Sequence, residues 1–197
     1  MRLVVVTAGS GTPSSTRLLG DRLADATLAA VGDGERWEVT HLELRELATD
    51  LASAMTTHLP SARLREAFES VGTAAGVIAV TPILNGSYAG LFKLFFDLLD
   101  EGVLRGRPVL LAATGGTARH SLVIDQAMLP LFFYLKARVA PTTVFAATDD
   151  WGDAHAGLSG RIAQAGRDLA ELMAACPATD HADEFADVPD FAQLLGR

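Results

Sequence analysis

The chain has 197 residues, 49% of them hydrophobic and 20% charged, with 16 Lys/Arg against 24 Asp/Glu and a formal charge of −8. That length suits one α/β domain that buries its core without disulfides, and the single cysteine, Cys176, excludes an internal disulfide framework and a Cys-rich zinc site. No Lys/Arg run suggests a phosphate-tracking stripe, so nucleic acid is not an expected partner, and an anionic ligand must be held locally by backbone N–H groups with an arginine's help.

Residues 2–7, RLVVVT, read as an apolar β-branched strand of the kind buried on both faces of a parallel sheet. A Gly/Ser/Thr loop follows at once, so this opening is not read as a signal peptide. No apolar run approaches the ~20 residues that span a bilayer, and a soluble cytoplasmic protein is expected. After the loop AGSGTPSST, Leu18, Leu19, Leu23, Ala26 and Ala30 mark one face of a helix ending near Gly32 and Gly34. Trp37, Val39 and Leu42 alternate as a second strand, and the stretch 43–74 closes on an amphipathic helix, ARLREAFESV. GVIAV (76–80) is a third buried strand, followed by the loop TPILNGSYAG and a helix from Tyr88 to about Glu101. PVLLAAT (108–114) is the fourth strand and ends in TGGTARH. A helix over about 120–136, a fifth strand in VAPTTVFAAT, the acidic loop DDWGDAHAG and a helix over about 158–175 complete the pattern. Five strands alternating with helices predict a doubly wound, five-stranded parallel sheet with right-handed crossovers. Residues 1–176 are expected to form one domain, and 177–197 an acidic, proline-punctuated tail.

In open sheets of this kind ligands bind outside the carboxyl ends of the strands, and three loops of unusual composition leave strands there. The first runs from Ala8 through Gly9, Ser10, Gly11, Thr12, Pro13, Ser14, Ser15 and Thr16 to Arg17. It joins glycines and hydroxyls to a helix N-terminus, whose unpaired N–H groups and dipole suit a phosphate, with Arg17 as a charge-assisted donor. The plainer reading is that Ser14 or Ser15 simply caps the helix. No Lys-Ser/Thr follows the glycines, and Gly9-x-Gly11 lacks a third glycine at position 14, so neither the P-loop nor the dinucleotide fingerprint is complete. That favours a mononucleotide. The second loop carries Pro82, Gly86 and Gly90 and can lay its backbone against a flat ring, with Asn85 and Ser87 as polar groups. The third, Thr114-Gly115-Gly116-Thr117, brings bare backbone to the same edge. Each can also be read as a tight turn.

The segment 81–120, TPILNGSYAGLFKLFFDLLDEGVLRGRPVLLAATGGTARH, resembles the NAD(P)H-dependent FMN reductase family. Thr81, Pro82, Tyr88, Gly90, Lys93, Asp97 and residues 113–117 fall on that family's pattern, and AGSGTPSSTRLL is similar to its phosphate loop. The likeness covers about residues 1–150 and is nearest to members that feed two-component monooxygenases. It implies a flavodoxin-like fold, FMN and NAD(P)H as cofactor and substrate, and hydride transfer to flavin. It places the FMN phosphate on Ser10, Thr12 and Ser15, Thr16 and Arg17. The ring and ribityl chain lie along Pro82, Ile83, Leu84, Asn85, Gly86 and Ser87, and the ring edge faces Thr114, Gly115, Gly116 and Thr117. The chain departs from the pattern at Leu84, where many relatives carry an aromatic or polar residue, and at Gln126, where some monooxygenase-linked members carry an aromatic.

No acid–base side chain is required by such chemistry, and none is assigned as catalytic. His120, beside the third loop, reads as a helix-start or pocket-wall residue. Asp149, Asp150, Asp153 and His155 match no metal-ligand spacing and read as a solvated loop, so no metal is expected. The apolar helices around 88–100 and 128–135 are expected to build a homodimer or homotetramer interface. A quinone or azo-type reductase and a non-enzymatic flavodoxin-like carrier are the alternatives to an FMN reductase that serves a monooxygenase.

Overall fold

A computed structural model of the protein describes residues 1–32, 34, 36–152 and 157–176. The first half comprises β1 (Arg2–Thr7), α1 (Ser15–Val31), β2 (Glu38–Glu43), α2 (Ala48–Thr57), α3 (Ala62–Gly72) and β3 (Gly76–Leu84). The second half comprises β4 (Ser87–Tyr88), α4 (Gly90–Asp97), β5 (Pro108–Gly115), α5 (Leu129–Tyr134), β6 (Arg138–Val139), β7 (Val144–Ala147) and α6 (Leu158–Ala175). The proposed tail, 177–197, lies outside the described residues.

The sheet order is β2-β1-β3-β5-β6, with β7 also on β5, and every pairing in this path is parallel. The strand count is seven rather than five, for two local reasons. The fifth predicted strand is broken in two: β6 pairs with Pro108 and Val109, β7 with Ala112–Gly115, and Pro141 stands in the gap. Proline has no N–H to give a ladder, so the strand leaves the sheet there and rejoins it. The other addition, β4, forms a small antiparallel hairpin with the end of β3.

Alternation along the strands sorts the core into two layers. Val4, Val6, Val77, Ala79, Val109 and Leu111 pack on the side of α2–α5, whereas Leu3, Val5, Ile78, Val80, Leu110 and Ala112 pack on the side of α1 and α6. Leu3 to Val6 and Val77 to Val80 are entirely sealed from water, which accounts for their unbroken apolar runs. Helix α1 is capped by the Ser14 hydroxyl, which accepts from Arg17 N, and stops at Gly32, whose φ is +81°. Its buried face is Thr16, Leu19, Gly20, Leu23, Ala24 and Thr27, so Leu18, predicted to lie inward, is instead exposed. Thr27 satisfies its buried hydroxyl on the Leu23 carbonyl at 2.8 Å, which explains how a polar residue joins that face.

The helix expected from Tyr88 to Glu101 is shorter, and the one expected over 120–136 is irregular. The latter holds a turn of 3-10 helix (Ala118–His120), a π-helical turn (Ile124–Met128) and only then α5. Pro130, near the start of α5, removes a backbone donor, and a π turn re-registers the chain around it. Between sheet and helices, Phe92, Phe95, Phe96 and Phe132 form an aromatic cluster with centroid separations of 4.8–6.1 Å. The buried Arg107 has no carboxylate partner among the described residues; it donates to the carbonyls of Gly72 and Ala74 at the end of α3, and to Val103 O at 3.2 Å. Burial alone holds its guanidinium below the ordinary arginine value. Among the described residues no helix is long and apolar enough to cross a membrane.

Helices α1 and α6 approach backbone to backbone. A Cβ on Gly166 would lie 2.6 Å from the Ala26 carbonyl carbon, closer than real contacts allow. On an exposed helix Gly→Ala stabilises, by about 1 kcal/mol. Here Gly166→Ala should instead cost about 1–3 kcal/mol as the helices are forced apart. Denaturant unfolding reads the sign directly, and a gain in stability would show that the helices can separate freely.

Candidate functional site

The register of the strands brings the three predicted loops to one edge. Thr7 is level with Val80 and Glu43, and Pro82 is level with Thr114. Each loop therefore starts at the same height on neighbouring strands, which is what βαβ winding requires.

In the first loop, Ser10, Gly11, Thr12 and Ser15 are exposed, and the N–H groups of Gly9, Ser10 and Gly11 donate to no other described residue. Gly9 is required by space: a Cβ there would lie 2.3 Å from Ser14 Oγ. Ser14 caps α1, as the plainer reading held, yet this leaves the remaining first-turn N–H groups facing the loop. Thr16 has a different place from the one expected of a ligand-facing hydroxyl. It is buried, and its Oγ1 shares a 2.9 Å hydrogen bond with Thr114 Oγ1, also buried. These two residues bolt the first loop to the third.

Arg17 is held by two carboxylates, Nε donating to Asp21 at 2.7 Å and Nη1 to Glu43 at 2.6 Å. Burial opposes its charge, but hydrogen bonding and Coulomb attraction from Asp21 and Glu43 outweigh it and hold the guanidinium above its usual value. Arg45, absent from the sequence reading, joins the same cluster. Its Nη1 donates to Gly11 O at 3.1 Å and Thr12 Oγ1 at 2.5 Å, and its Nη2 lies 2.8 Å from Glu43 Oε2. The signal available was its place, two residues beyond β2, which ends level with β1. These groups border a small cavity of about 220 Å³ beside the loop. His41 stands behind them with Nδ1 3.4 Å from Asp21 Oδ1, near enough for an ion pair but without hydrogen-bond geometry. Burial first, and then the Arg17 charge, push its pKa below the ordinary value, against the pull of Asp21 and Glu43.

The second segment is not an open loop. Ile83 pairs with Tyr88 and Leu84 with Ser87, closing a hairpin over the two-residue turn Asn85-Gly86, with φ of +50° and +82°. Asn-Gly is the favoured pair for a turn with both residues at positive φ, so Asn85, expected as a polar ligand-side group, serves first as a turn residue. Thr81, fully buried, ties the base by accepting from Ala89 N at 3.0 Å and donating to Pro82 O at 3.0 Å. Leu84 and Gly86 stand exposed at the tip, and Tyr88 turns toward Phe92 with centroids 5.8 Å apart.

In the third segment Gly115 is packed so tightly on Phe145 that a Cβ would meet the ring at 2.8 Å, whereas Gly116 opens onto empty space. The N–H groups of Gly116 and Thr117 have no acceptor among the described residues. Phe145, unmarked in the sequence reading, thus forms a ring beside the glycines. Bare N–H groups at the first and third loops, a rigid hairpin between them and open space over Gly116 fit a flat ligand with an anionic end. His120 is exposed in the turn beyond. Trp151 is engaged by Arg22, whose guanidinium carbon lies 5.1 Å from the ring centroid. Of the acidic loop, Asp150 accepts from Ala147 N and pairs with Arg161, while Asp153 and His155 lie outside the described residues. Lys93 and Asp97 pair with each other on α4 at 2.5 Å.

The model of the NADPH-dependent FMN reductase family matches residues 1–152, a span containing all three segments. An FMN reductase (NADPH) of Pseudomonas aeruginosa is 35% identical over 150 residues, 76% of this chain and 78% of that relative. The NADH-dependent FMN reductase SfnE of Pseudomonas putida is 35% identical over 179 residues, 89% of this chain and 94% of the relative. Among solved structures, an oxidoreductase from Corynebacterium diphtheriae superposes with a TM-score of 0.85 at 45% identity, covering 88% of this chain and 97% of its own. An apo NADH:FMN oxidoreductase superposes at 0.71 with 22% identity, covering 90% and 91%, a likeness of fold.

Two outcomes test the local physics. Thr16→Val leaves Thr114 Oγ1 buried and unpaired and should cost about 1–3 kcal/mol, while the double change with Thr114→Val should cost less than the sum of the singles. Strict additivity in a denaturation cycle would mean the two hydroxyls are not coupled. For His41, the unfolded chain takes up a proton near 6.5 while the native residue resists it. Its contribution is therefore complete above that value and is lost as pH falls through the lowered native pKa. His41→Gln should flatten that part of the stability–pH curve, and an unaltered acid-side slope would place the loss elsewhere.

Proposed function

The chain belongs to the NADPH-dependent FMN reductase family, and on that premise we propose that it takes hydride from NADH or NADPH and delivers it to FMN seated at the carboxyl edge of the sheet. The observation that carries this reading is the meeting, inside the family-matched span, of two glycine-bearing loops with bare N–H groups and a rigid hairpin between them. Flavin, when bound, supplies the hydride-accepting chemistry itself. The protein's part is to bind, orient and stabilise charge.

In this reading the phosphate sits against Ser10, Thr12 and Ser15, with the first-turn N–H groups of α1 and the free donors of Arg17 nearby. Thr16 and Thr114 act from beneath, by holding the first and third loops together. Pro82 to Ser87 form the wall along the ring and ribityl chain, and the rigidity of the hairpin keeps that wall in place. The N–H groups of Gly116 and Thr117 face the ring edge beside Gly115, where they stabilise negative charge. The phosphate loop is open to solvent at Ser10, Gly11, Thr12 and Ser15, which suits a flavin that exchanges and supports a role in supplying reduced FMN to a flavin-dependent monooxygenase. Residues 1–176 act as one domain in this reading, and its setting is the cytoplasm. Phe133 and Tyr134 on α5 are 62% and 83% exposed, with Leu122 close by in sequence at 58%, and a second copy of the chain is the partner proposed to cover them.

Purified protein mixed with FMN and NADH or NADPH should oxidise the nicotinamide; no oxidation with either donor would sink the reading. Arg17→Ala should weaken FMN binding by about tenfold in a fluorescence titration, the size of a lost charge-assisted contact. An unchanged affinity would remove Arg17 from the phosphate site.

A further inference from the structure

Glu43 holds two arginines at once, one from the first turn of α1 and one from the turn after β2, and the second of these grips the phosphate loop from outside. We propose that Glu43 and Arg45 are positioning residues for the flavin phosphate: Arg45 sets the shape of the loop, and Glu43 sets the aim of Arg17. This rests on the FMN-reductase reading above and extends it to two residues that touch no ligand in it.

Geometry supports each part. Arg45 Nη1 reaches both Gly11 O and Thr12 Oγ1, the two groups at the crest of the loop, so one side chain fixes the loop's backbone and its hydroxyl. The same guanidinium lies 2.8 Å from Glu43 Oε2, while Arg17 Nη1 donates to Oε1 at 2.6 Å. Glu43 is the last residue of β2, level with Thr7 where the loop leaves β1, so its carboxylate is anchored by the sheet. Its side chain is only 18% exposed, which weakens competition from water. The Arg17 guanidinium has five N–H donors and spends one on Asp21 and one on Glu43. Three remain for an anion, already oriented.

Charge and positioning predict opposite results when Glu43 is removed. The cluster of Arg17, Arg45, Asp21 and Glu43 is neutral as it stands. By Coulomb's law alone, deleting Glu43 leaves a net positive charge and should tighten any bound phosphate. If the carboxylate instead holds the two cations in place, its loss lets them separate and binding weakens.

The test compares FMN with riboflavin, which has the same ring and no phosphate, as acceptors of NADPH or NADH electrons. In Glu43→Ala and Arg45→Met the ratio of kcat/KM for FMN to that for riboflavin should fall by about 5–10-fold, with the FMN loss residing in KM. A general loosening of the fold would lower both acceptors together and leave the ratio unmoved. An unmoved ratio, or a tighter FMN KM in Glu43→Ala, overturns the proposal. Arg45→Met keeps the apolar stem and removes only the guanidinium head, which is partly exposed, so it remains informative if Glu43→Ala folds poorly. Failure of the underlying reading is separate: wild-type protein would then reduce neither flavin.

Discussion

β1, β3 and β5 are sealed on both faces through their central lengths, and a parallel sheet so covered has only its edges and strand ends left for contact with solutes. The parallel ladder also forces every crossover helix to begin at the same end. One edge of the molecule therefore collects helix N-termini and loops, whose backbone N–H groups have no partner within the ladder. Everything at the site follows from that constraint. The first loop, the hairpin at the end of β3 and the Gly115-Gly116 turn are neighbours because their strands are, with Pro82 and Thr114 at the same level.

Burial also divides the labour among the hydroxyls. Those that can reach solvent, Ser10, Thr12 and Ser15, stay on the loop surface, whereas Thr16, Thr81 and Thr114 turn inward and must find partners. Thr16 and Thr114 find each other; Thr81 finds the hairpin base. An unpaired buried hydroxyl costs about 1–3 kcal/mol, so these bonds do more to define the loops' relative positions than their modest net strength suggests. The electrostatics are equally local. In a chain of net charge −8, two arginines stand at the first loop and are matched by Glu43 and Asp21. The neutral cluster avoids the self-repulsion that two neighbouring guanidinium groups would otherwise impose.

Much of this was legible in the residues. Apolar runs such as VVV at 4–6 and VIAV at 77–80 report strands because full burial removes the need for alternation. The family pattern marked the candidate segments, and the family match spans the same stretch of chain. The readings that missed are those where a local signal was outweighed by a distant one. The Asn85-Gly86 turn was visible, but whether Tyr88 began a helix or ended a hairpin depended on Ile83 pairing with it. The run from 120 to 136 has the composition of a helix, yet its register is altered by a π turn ahead of Pro130. Leu18 belonged to a plausible apolar stripe, while the buried face took Thr16, Gly20 and Thr27, with Gly20 packed too closely on Val5 and Thr7 to carry a Cβ.

By itself the sequence determined the winding, the domain's core strands, the three candidate segments and the family, because these rest on periodicity and on motifs confined to short windows. Tertiary structure alone decided which hydroxyls stay exposed on the loop and which are buried as bolts between segments. It also decided that Arg17 is restrained by Asp21 and Glu43, and that Arg45 belongs to the loop at all. Those outcomes depend on pairs far apart in the chain, 98 residues for Thr16 and Thr114 and 26 for Arg17 and Glu43. Hydrogen bonds and ion pairs act over a few ångströms, and only the register of β1, β2 and β5 brings those partners within that range.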